Sequence, residues 1–438
     1  MTKLMPDQFP ASTTRRNFLQ FSAAAAPALL LQMPQTASAG KPSELPPAFA
    51  SLKPLGERVQ PIQPGEFQTR LGHAQERMAE AKPAYAALFL APGTGLYYFT
   101  GIRWGLSERL LALIIPKTGQ PILIVPAFEE GRLRERLKLP IEIRTWQEDQ
   151  SPTKIAAVAL VDRGIRTGQI GVEETVGFSF YDHFRQAAPG FNFVSADPIT
   201  IACRARKSPQ ELDLMRTACD ATFDVFTAVF ASLKEGLSQN DLGQMVQEGF
   251  AKMSLQGGAL TLIGESAALP HGTQKPRALR EGDVVLIDGG CKLEGYESDV
   301  TRTGVLGTPT KQVVEVFEIV RRAQNAALDA ARAGNLSGAV DDAARKVITD
   351  GGYGPDYKFF THRLGHGIGL DGHEHPYLVR ASTTTLEPNM TFSNEPGIYI
   401  PGHFGLRCED DMVITEAGPA KLLTKGFQAS LEKPLDLA

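Results

Sequence analysis

Apolar positions follow two different rhythms along the chain, and the change between them near residue 205 is the first sign of two domains. Up to that point, short apolar runs alternate with helical stretches. "FQTRLGHAQERMAEA" (67–81) has helical spacing, and "AYAALFLAP" (84–92) is an apolar run of strand length closed by Pro92-Gly93. "LALIIPKTGQPILIVP" (111–126) holds two such runs around Lys117-Thr118-Gly119, the pattern of a hairpin. "KIAAVALVDRG" (154–164) returns to helix and "GQIGVEE" (168–174) to strand. This alternation predicts an α/β domain. Residues 40–66, rich in Pro, Ser and Gln, read as a surface lead-in to it.

The second rhythm begins with "KSPQELDLMRTACDATFDVF" (207–226). Ser208 is placed to cap a helix, Pro209 occupies its first position and Glu211 completes a capping box. Leu212, Met215, Cys219 and Phe226 then recur at helical spacing. A second helix is predicted over about 310–333, with Val313, Val316, Phe317 and Val320 on one face and a stop at Gly334-Asn335. A third, over about 337–350, stops at Gly351-Gly352. Strand-like runs lie between and after them: "DVVLIDGG", "YESDVTRTG", "MTFSNEPGIYI" and "GLRCEDDMVIT". The second half therefore predicts an α+β domain, helices flanking an antiparallel sheet.

Composition narrows the classes. A chain of 438 residues is too long for one small core, and 42% hydrophobic with 21% charged residues suits a globular protein. The net charge of −4 comes without basic runs, which argues against nucleic acid as a partner. No apolar stretch reaches the roughly 18–20 residues that span a bilayer. Cys203, Cys219, Cys291 and Cys408 have no C-x-x-C spacing, and four buried free thiols are the simplest reading.

The first 39 residues stand apart. "TTRRNFLQ" (13–20) sets Arg15 and Arg16 ahead of Phe18 and Leu19, "FSAAAAPALLLQM" (21–33) is Ala- and Leu-rich, and "ASA" (37–39) has the small-x-small form of a signal-peptidase site. The order resembles a twin-arginine export signal, with Gln20 where Lys is commoner. It implies a signal peptide over 1–39, a periplasmic or otherwise exported mature protein, and no membrane association after cleavage.

Candidate chemistry gathers in the second half. In "DVVLIDGGCKLEGYESDVTRTG" (283–304), two apolar runs flank a Gly-containing turn and each carries an aspartate. If Asp288 and Asp299 face each other, the turn centres between Leu293 and Glu294, and both carboxylates share one face. Like charges so placed repel, and a cation is the obvious compensation. Glu395 ends an apolar run before Pro396-Gly397. Strand alternation puts Arg407, Glu409 and Asp411 on one face and Asp410 on the other, which leaves the choice between Glu409 and Asp411 open. "HRLGHGIGLDGHEHP" (362–376) holds four of the eight histidines: His362, His366, His373 and His375. Carboxylates with imidazole make a hard, oxygen-rich site, suited to manganese, cobalt or iron more than to a thiolate zinc centre.

These residues, in this order, resemble the aminopeptidase P, prolidase and methionine aminopeptidase group, whose catalytic domain is the pita-bread fold. The resemblance covers 205–438, and "GTGLYYFTGI" (93–102) extends it to the amino-terminal domain of the creatinase, prolidase and aminopeptidase P branch. It implies a smaller α/β creatinase-like domain over 40–204 ahead of an α+β pita-bread catalytic domain over 205–438. It further implies two divalent ions, manganese first with cobalt, iron or zinc as alternatives, held by Asp288, Asp299, His366, Glu395 and Glu409.

By the same resemblance His366 alone among the clustered histidines is a ligand. His373 sits beside the scissile carbonyl and stabilises the oxyanion. His271 contacts substrate and moves protons, Glu395 handles the catalytic proton, and His362 lines the leaving-group pocket. Arg407 and Tyr399 hold a bridging carboxylate and the substrate. His375 receives no role. The implied activity is an Xaa-Pro peptidase in which a metal-bridging hydroxide attacks the bond before proline in a short peptide, in a homodimer. His271 and His362, with Tyr97, Tyr98 and Trp104, are the candidate walls of a proline pocket. The alternatives within the family are a metal-dependent dimethylsulfoniopropionate lyase and a creatinase-like hydrolase, and outside catalysis a binding module that has kept its ligands.

The amino-terminal reading generates its own test. Arg15→Lys combined with Arg16→Lys should leave the folded protein in the cytoplasm, as cell fractionation would show. An unchanged extracytoplasmic fraction would remove the twin-arginine assignment.

Overall fold

The computed structural model describes residues 45–273, 275 and 277–436, and the export segment read over 1–39 lies outside them. The first domain opens with α1 (Pro64–Glu80), started by Pro64 and burying Phe67, Leu71, Ala74 and Met78 along one stripe. β1 (Tyr85–Leu90), α2 (Thr94–Thr100), β2 (Ala112–Pro116), β3 (Ile122–Pro126), α3 (Glu130–Arg134) and β4 (Glu142–Trp146) follow. The domain closes with α4 (Pro152–Asp162), β5 (Gly168–Val172), α5 (Phe178–Ala187), β6 (Phe191–Ser195) and α6 (Asp197–Ala205).

Its six strands form one sheet in the order β4-β3-β2-β1-β5-β6. The β1–β2 and β2–β3 pairs are antiparallel, and the flanking pairs are parallel. Every residue of β2 and β3 is buried, which is why both read as unbroken apolar runs and not as alternation. Phe89, Ile114, Ile124, Leu160 and Phe184 share the core.

The second domain starts with α7 (Pro209–Phe230), whose capping box forms as read. Ser208 Oγ accepts from the Glu211 N–H at 3.3 Å, and Glu211 Oε2 accepts from the Ser208 N–H at 2.7 Å. Next come α8 (Gln239–Lys252), β7 (Gln256–Ile263), β8 (Val284–Leu293), β9 (Tyr296–Glu297), β10 (Val300–Val305), α9 (Lys311–Ala330) and α10 (Ser337–Ile348). The chain then builds β11 (Gly365–Gly367), β12 (Glu374–Leu378), β13 (Thr391–Asn394), β14 (Gly397–Ile400), β15 (Phe404–Arg407), β16 (Asp410–Val413) and β17 (Lys421–Leu422).

All pairing in this domain is antiparallel: β10-β8-β7 with β9 on β8, β12-β11-β13-β16-β17, and the β14–β15 hairpin. An isolated bridge, Thr301 to Glu409, joins the two larger sheets. The predicted stripe of α9 (Val313, Val316, Phe317, Val320) is buried in one core with Phe360, Phe392 and Met412.

Four details depart from the sequence reading. The hairpin after β8 turns at Glu294 and Gly295, with φ of 50° and 94°. Both are positive, the two-residue geometry that matches strand twist and that Gly295 adopts without cost. Leu293 therefore pairs with Tyr296, and Asp288 faces Thr301 instead of Asp299. Because Asp299 precedes Thr301 by two residues, it still comes to the Asp288 side.

Secondly, the lead-in is not all surface: Phe49 is fully buried and Leu52 and Ile62 nearly so. Phe49 lies against Gly249 of α8, and its carbonyl accepts from Lys252 Nζ at 2.8 Å. Thirdly, α8 was not read, although Ser238 and Asp241 form a capping box ahead of Leu242, Met245, Val246 and Phe250. Lastly, two of the strand-like runs each split in two, at Glu395-Pro396 and at Cys408-Glu409.

The two domains are tied by a buried polar network. Arg70 of α1 donates to Tyr296 Oη at 2.9 Å and pairs with Glu211 of α7 at 3.3 Å, and Tyr296 donates to Glu211 at 2.7 Å.

Glu173, just after β5, is buried with Thr175 Oγ1 donating to it at 3.1 Å. Burial lifts its carboxyl to about 7. The folded state thus binds this proton more tightly than the unfolded chain does, so stability falls as pH rises from the ordinary glutamate range through about 7. Glu173→Gln should remove that dependence. Relative to the parent, it should gain about 3 kcal/mol between pH 4 and pH 8 in denaturant unfolding. An identical pH dependence in parent and variant would show that this carboxyl does not titrate as described.

Candidate metal centre

The seam between the two larger sheets gathers the five candidate ligands. Asp288 lies in β8, Asp299 in the link from β9 to β10, and His366 in β11. Glu395 lies just past β13 and Glu409 just ahead of β16. Their ligand atoms fall into overlapping sets, each within 4.8 Å: Asp288, Asp299 and Glu409; His366, Glu395 and Glu409; and Asp299, His366 and His373. The choice left open between Glu409 and Asp411 falls to Glu409. Asp411 lies behind the cluster, where Oδ2 accepts from the Asp299 N–H at 3.0 Å and from Cys219 Sγ at 3.4 Å.

The orientation of His366 is set by its backbone. Nδ1 lies 3.1 Å from the Gly367 carbonyl, which can only accept, so Nδ1 carries the hydrogen. Nε2 then faces Glu395 Oε1 at 3.3 Å and Asp299 Oδ2 at 3.8 Å, where a bound cation would take the place of its proton. Burial would raise the Glu395 carboxyl, but the His366 and His362 imidazoles outweigh it and hold it down at about 2. Burial would lower His366, but Glu395 and Asp299 raise it to about 9. Asp299 and Glu409 are pushed well above the carboxylate range, first by burial and then by acidic neighbours, Asp288 foremost at Asp299 and Asp299 foremost at Glu409.

Hydrogen bonds around the cluster show the same crowding. Thr301 Oγ1 accepts from Arg407 Nε at 3.1 Å and contacts Asp288 Oδ1 at 2.7 Å and Glu409 Oε2 at 2.6 Å. One hydroxyl has one hydrogen, so with both carboxylates ionised one contact lacks a proton. A divalent cation meets this need directly: it neutralises the carboxylates and takes the lone pair of His366 Nε2. The donor set, four carboxylates with an anchored imidazole, therefore fits a divalent metal.

Arg407 organises the rim. Besides Thr301 it pairs with Asp288 Oδ2 and donates to Tyr399 Oη at 2.7 Å and to the Pro270 carbonyl at 3.5 Å. Tyr399 in turn lies 2.8 Å from His362 Nε2, while His362 Nδ1 faces the Arg363 carbonyl at 2.8 Å. The carbonyl again assigns the hydrogen to Nδ1, so Tyr399 donates to Nε2. Burial lowers the basicity of His362, and its Nδ1 lies 3.8 Å from Glu395 Oε2.

The His373 ring lies 3.9 Å from that of His366, exposed at the mouth. His271 is also exposed and follows Pro270, whose carbonyl Arg407 holds. His375 is exposed and packs on Tyr377, away from any ligand set found among the described residues. Of the aromatic residues read as pocket walls, Tyr98 is buried beneath Arg70, its hydroxyl donating to the Cys203 carbonyl at 2.8 Å. Tyr97 donates to the Glu294 carbonyl at 2.6 Å, and Trp104 lies under Arg132 and Arg136.

Sequence reasoning missed Thr301 and the clamp beneath it. Arg302 and Asp410, both fully buried, pair at 2.6 Å, with Thr424 and Gln324 also donating to Asp410. Arg302 Nη1 donates to the Glu409 carbonyl at 2.7 Å. The available signal was alternation, which sends Arg302 and Asp410 to the face opposite Thr301 and Glu409.

Comparison with known proteins agrees with this architecture. Residues 213–416 match the model of metallopeptidase family M24, and residues 70–206 match the creatinase/prolidase N-terminal domain. The chain is 33% identical over 342 residues to the Xaa-Pro dipeptidase of Pyrococcus furiosus, covering 77% of this chain and 93% of that one. It superposes on the dipeptidase PepE of Mycobacterium ulcerans with a TM-score of 0.77 at 33% identity, over 84% of this chain and 97% of the other. For the prolidase of Thermococcus sibiricus the TM-score is 0.74 at 30% identity, over 82% and 97%. The chain belongs to metallopeptidase family M24: a peptidase with a creatinase-type N-terminal domain and a pita-bread catalytic domain.

Proposed function

We propose that this peptidase is a dinuclear-metal Xaa-Pro peptidase that hydrolyses the bond ahead of proline, with Xaa-Pro dipeptides as its first substrates to test. The observation that carries the proposal is the pair of ligand triads that share Glu409, one ending in Asp288 and Asp299 and the other in His366 and Glu395. Two triads with a common carboxylate would suit two divalent ions, held by Asp288, Asp299, His366, Glu395 and Glu409. The names of the relatives, Xaa-Pro dipeptidase and prolidase, support the substrate class. The Ala-rich segment behind Arg15-Arg16 supports export to the periplasm.

Divalent ions at these residues would supply Lewis acidity, acidifying water and polarising a carbonyl. The side chains do the rest. Glu395, kept ionised beside two imidazoles, accepts the proton of the attacking water and returns it to the departing proline nitrogen. His373, at the mouth, donates to the carbonyl oxygen as negative charge develops there. His362, its basicity lowered by burial and its ring held between Tyr399 and the Arg363 carbonyl, presents a ring edge towards Glu395 and the leaving-group side.

Chelation should abolish hydrolysis, and manganese or cobalt should restore it better than magnesium, because an imidazole joins the carboxylates. Asp288→Ala should lose activity by several orders of magnitude, whereas His375→Ala should lose about tenfold or less. Two ions per active chain by elemental analysis are expected. Full turnover by verified metal-free enzyme would end the hydrolytic-metal reading, and one ion per fully active chain would end the dinuclear one.

Proline selectivity is tested separately. The proline nitrogen has no hydrogen to donate and its ring fixes φ, so discrimination must come from shape and apolar contact. Xaa-Pro should be cleaved at least about tenfold faster than Xaa-Ala in kcat/KM, equivalent to about 1.4 kcal/mol. His362→Ala should weaken that ratio more than it lowers metal content. Equal rates on the two peptides would refute the selectivity, and acrylate release from a sulfonium substrate without peptide cleavage would replace the peptidase proposal with the lyase.

A further inference from the structure

The loop that carries His373 runs from β11 to β12 across the domain boundary, and cations from outside the catalytic sheets grip it on both sides of the histidine. Arg204, in the last turn of α6, pairs through Nη2 with Asp371 Oδ2 at 2.6 Å and with Glu374 Oε2. Lys207, in the link to α7, pairs through Nζ with Glu374 Oε1 and donates to the Arg204 carbonyl at 2.8 Å. Thr94, at the start of α2, donates to Asp371 Oδ1 at 2.6 Å. The side chains of Lys207 and Glu374 are 2% and 6% exposed, so this is a desolvated ion pair and not a surface contact. A Cβ at Gly369 would meet Glu374 Oε1 at 2.6 Å and Lys207 Cε at 2.7 Å, so the loop backbone rests directly on the pair. The Gly369 carbonyl also accepts from the Glu297 N–H at 2.7 Å.

We infer that Arg204, Lys207 and Thr94 are positioning residues: through Asp371 and Glu374 they lock the two ends of the His373 turn and so fix where its imidazole stands. Asp371 is two residues before His373 and Glu374 one after, which leaves the ring little backbone freedom once both carboxylates are held. His373 is an exposed side chain on a short loop, and the lock supplies the order that local packing does not. Two of the three gripping residues lie in the creatinase-type domain, which thereby acts on the chemistry without reaching the metal cluster. The inference rests on the catalytic role proposed for His373.

The test uses the metal-loaded full chain and two readouts, backbone hydrogen exchange over 369–375 and the split between kcat and KM. Glu374→Gln keeps the shape but removes the charge, and Thr94→Val removes a single hydrogen bond without disturbing the buried pair. In Glu374→Gln, exchange over 369–375 should quicken by about tenfold or more while exchange in β8 and β16 stays unchanged. Its kcat should fall by about tenfold, with KM within about twofold and metal content unaltered. Thr94→Val should shift both readouts in the same direction by less. Arg204→Lys should retain more kcat than Arg204→Met, since the charge is kept. The double variant Glu374→Gln with His373→Ala should be no slower than His373→Ala alone, because both act through one ring.

Unchanged exchange over 369–375 would overturn the lock whatever the kinetics show. Faster exchange with full kcat, or independent losses in the double variant, would overturn the positioning of His373. Full kcat in His373→Ala would overturn the role of that histidine, and with it the positioning, even if the exchange result showed the lock itself.

Discussion

The structure depends on how four carboxylates are kept together in one buried seam. At about 4 Å, two unit charges repel by about 4 kcal/mol at an effective dielectric of 20, and the cluster contains several such pairs. No packing of Asp288, Asp299, Glu395 and Glu409 is stable by itself, so neighbouring parts of the fold must oppose the repulsion. Behind the seam, the buried Arg302–Asp410 pair fastens β10 to β16 from the opposite face, and its guanidinium also holds the Glu409 carbonyl. On the near side Arg407 pairs with Asp288 and Thr301 bridges two of the carboxylates. Removing one partner of a buried pair leaves an uncompensated charge, so the Arg302–Asp410 and Arg407–Asp288 contacts hold only while both members are present. The result is a rigid, electron-rich cleft whose remaining demand is for positive charge.

Much of this was legible in the sequence because the residues that carry it interrupt strong local patterns. Asp288 ends an apolar run, Glu395 precedes Pro396-Gly397, and His366 sits among glycines. The fold class followed from apolar runs of two lengths, and the sheets formed where those runs were read. What was misread turned on one or two residues. The hairpin centre was placed one residue early because nothing in "KLEGY" distinguishes its tight turns except the backbone Gly295 permits. Glu409 and Asp411 could not be separated by alternation, since both belong to one face. The bridge to Thr301, at a break between β15 and β16, decides between them.

Other features left no local trace at all. Arg70 meets Glu211 and Tyr296, Arg204 meets Asp371 and Glu374, and Arg302 meets Asp410, each across more than a hundred residues of chain. Such pairs have no periodicity, and a lone arginine on a helix reads as a solvated charge until the tertiary fold brings its partner. Phe49 was hidden for a related reason: an isolated aromatic residue in a Pro-rich stretch gives no rhythm, yet it fills a place against α8. Long-range ionic contacts and single plugging residues are therefore where sequence reading ends, and in this molecule Arg70, Arg204 and Phe49 are among those that join the two domains.

The histidines show how one residue type acquires different duties from backbone geometry. His362 and His366 each give Nδ1–H to a nearby carbonyl, Arg363 O in one case and Gly367 O in the other. The same anchoring leaves Nε2 as the outward-facing ring nitrogen in both. In His366 that atom faces Glu395 and Asp299, and the ring becomes a ligand candidate. In His362 it faces the Tyr399 hydroxyl, which occupies the lone pair and keeps the ring out of any metal. Among the described residues, no carbonyl anchors His373 in this way. Its ring stands at the mouth beside His366, and its order must come from the segment on either side. A ligand needs a fixed lone pair, whereas a donor to developing charge needs a fixed position and a proton it can keep. Thus His373 stands between two clamped carboxylates, Asp371 and Glu374, while the contrast between His362 and His366 follows from what each Nε2 faces.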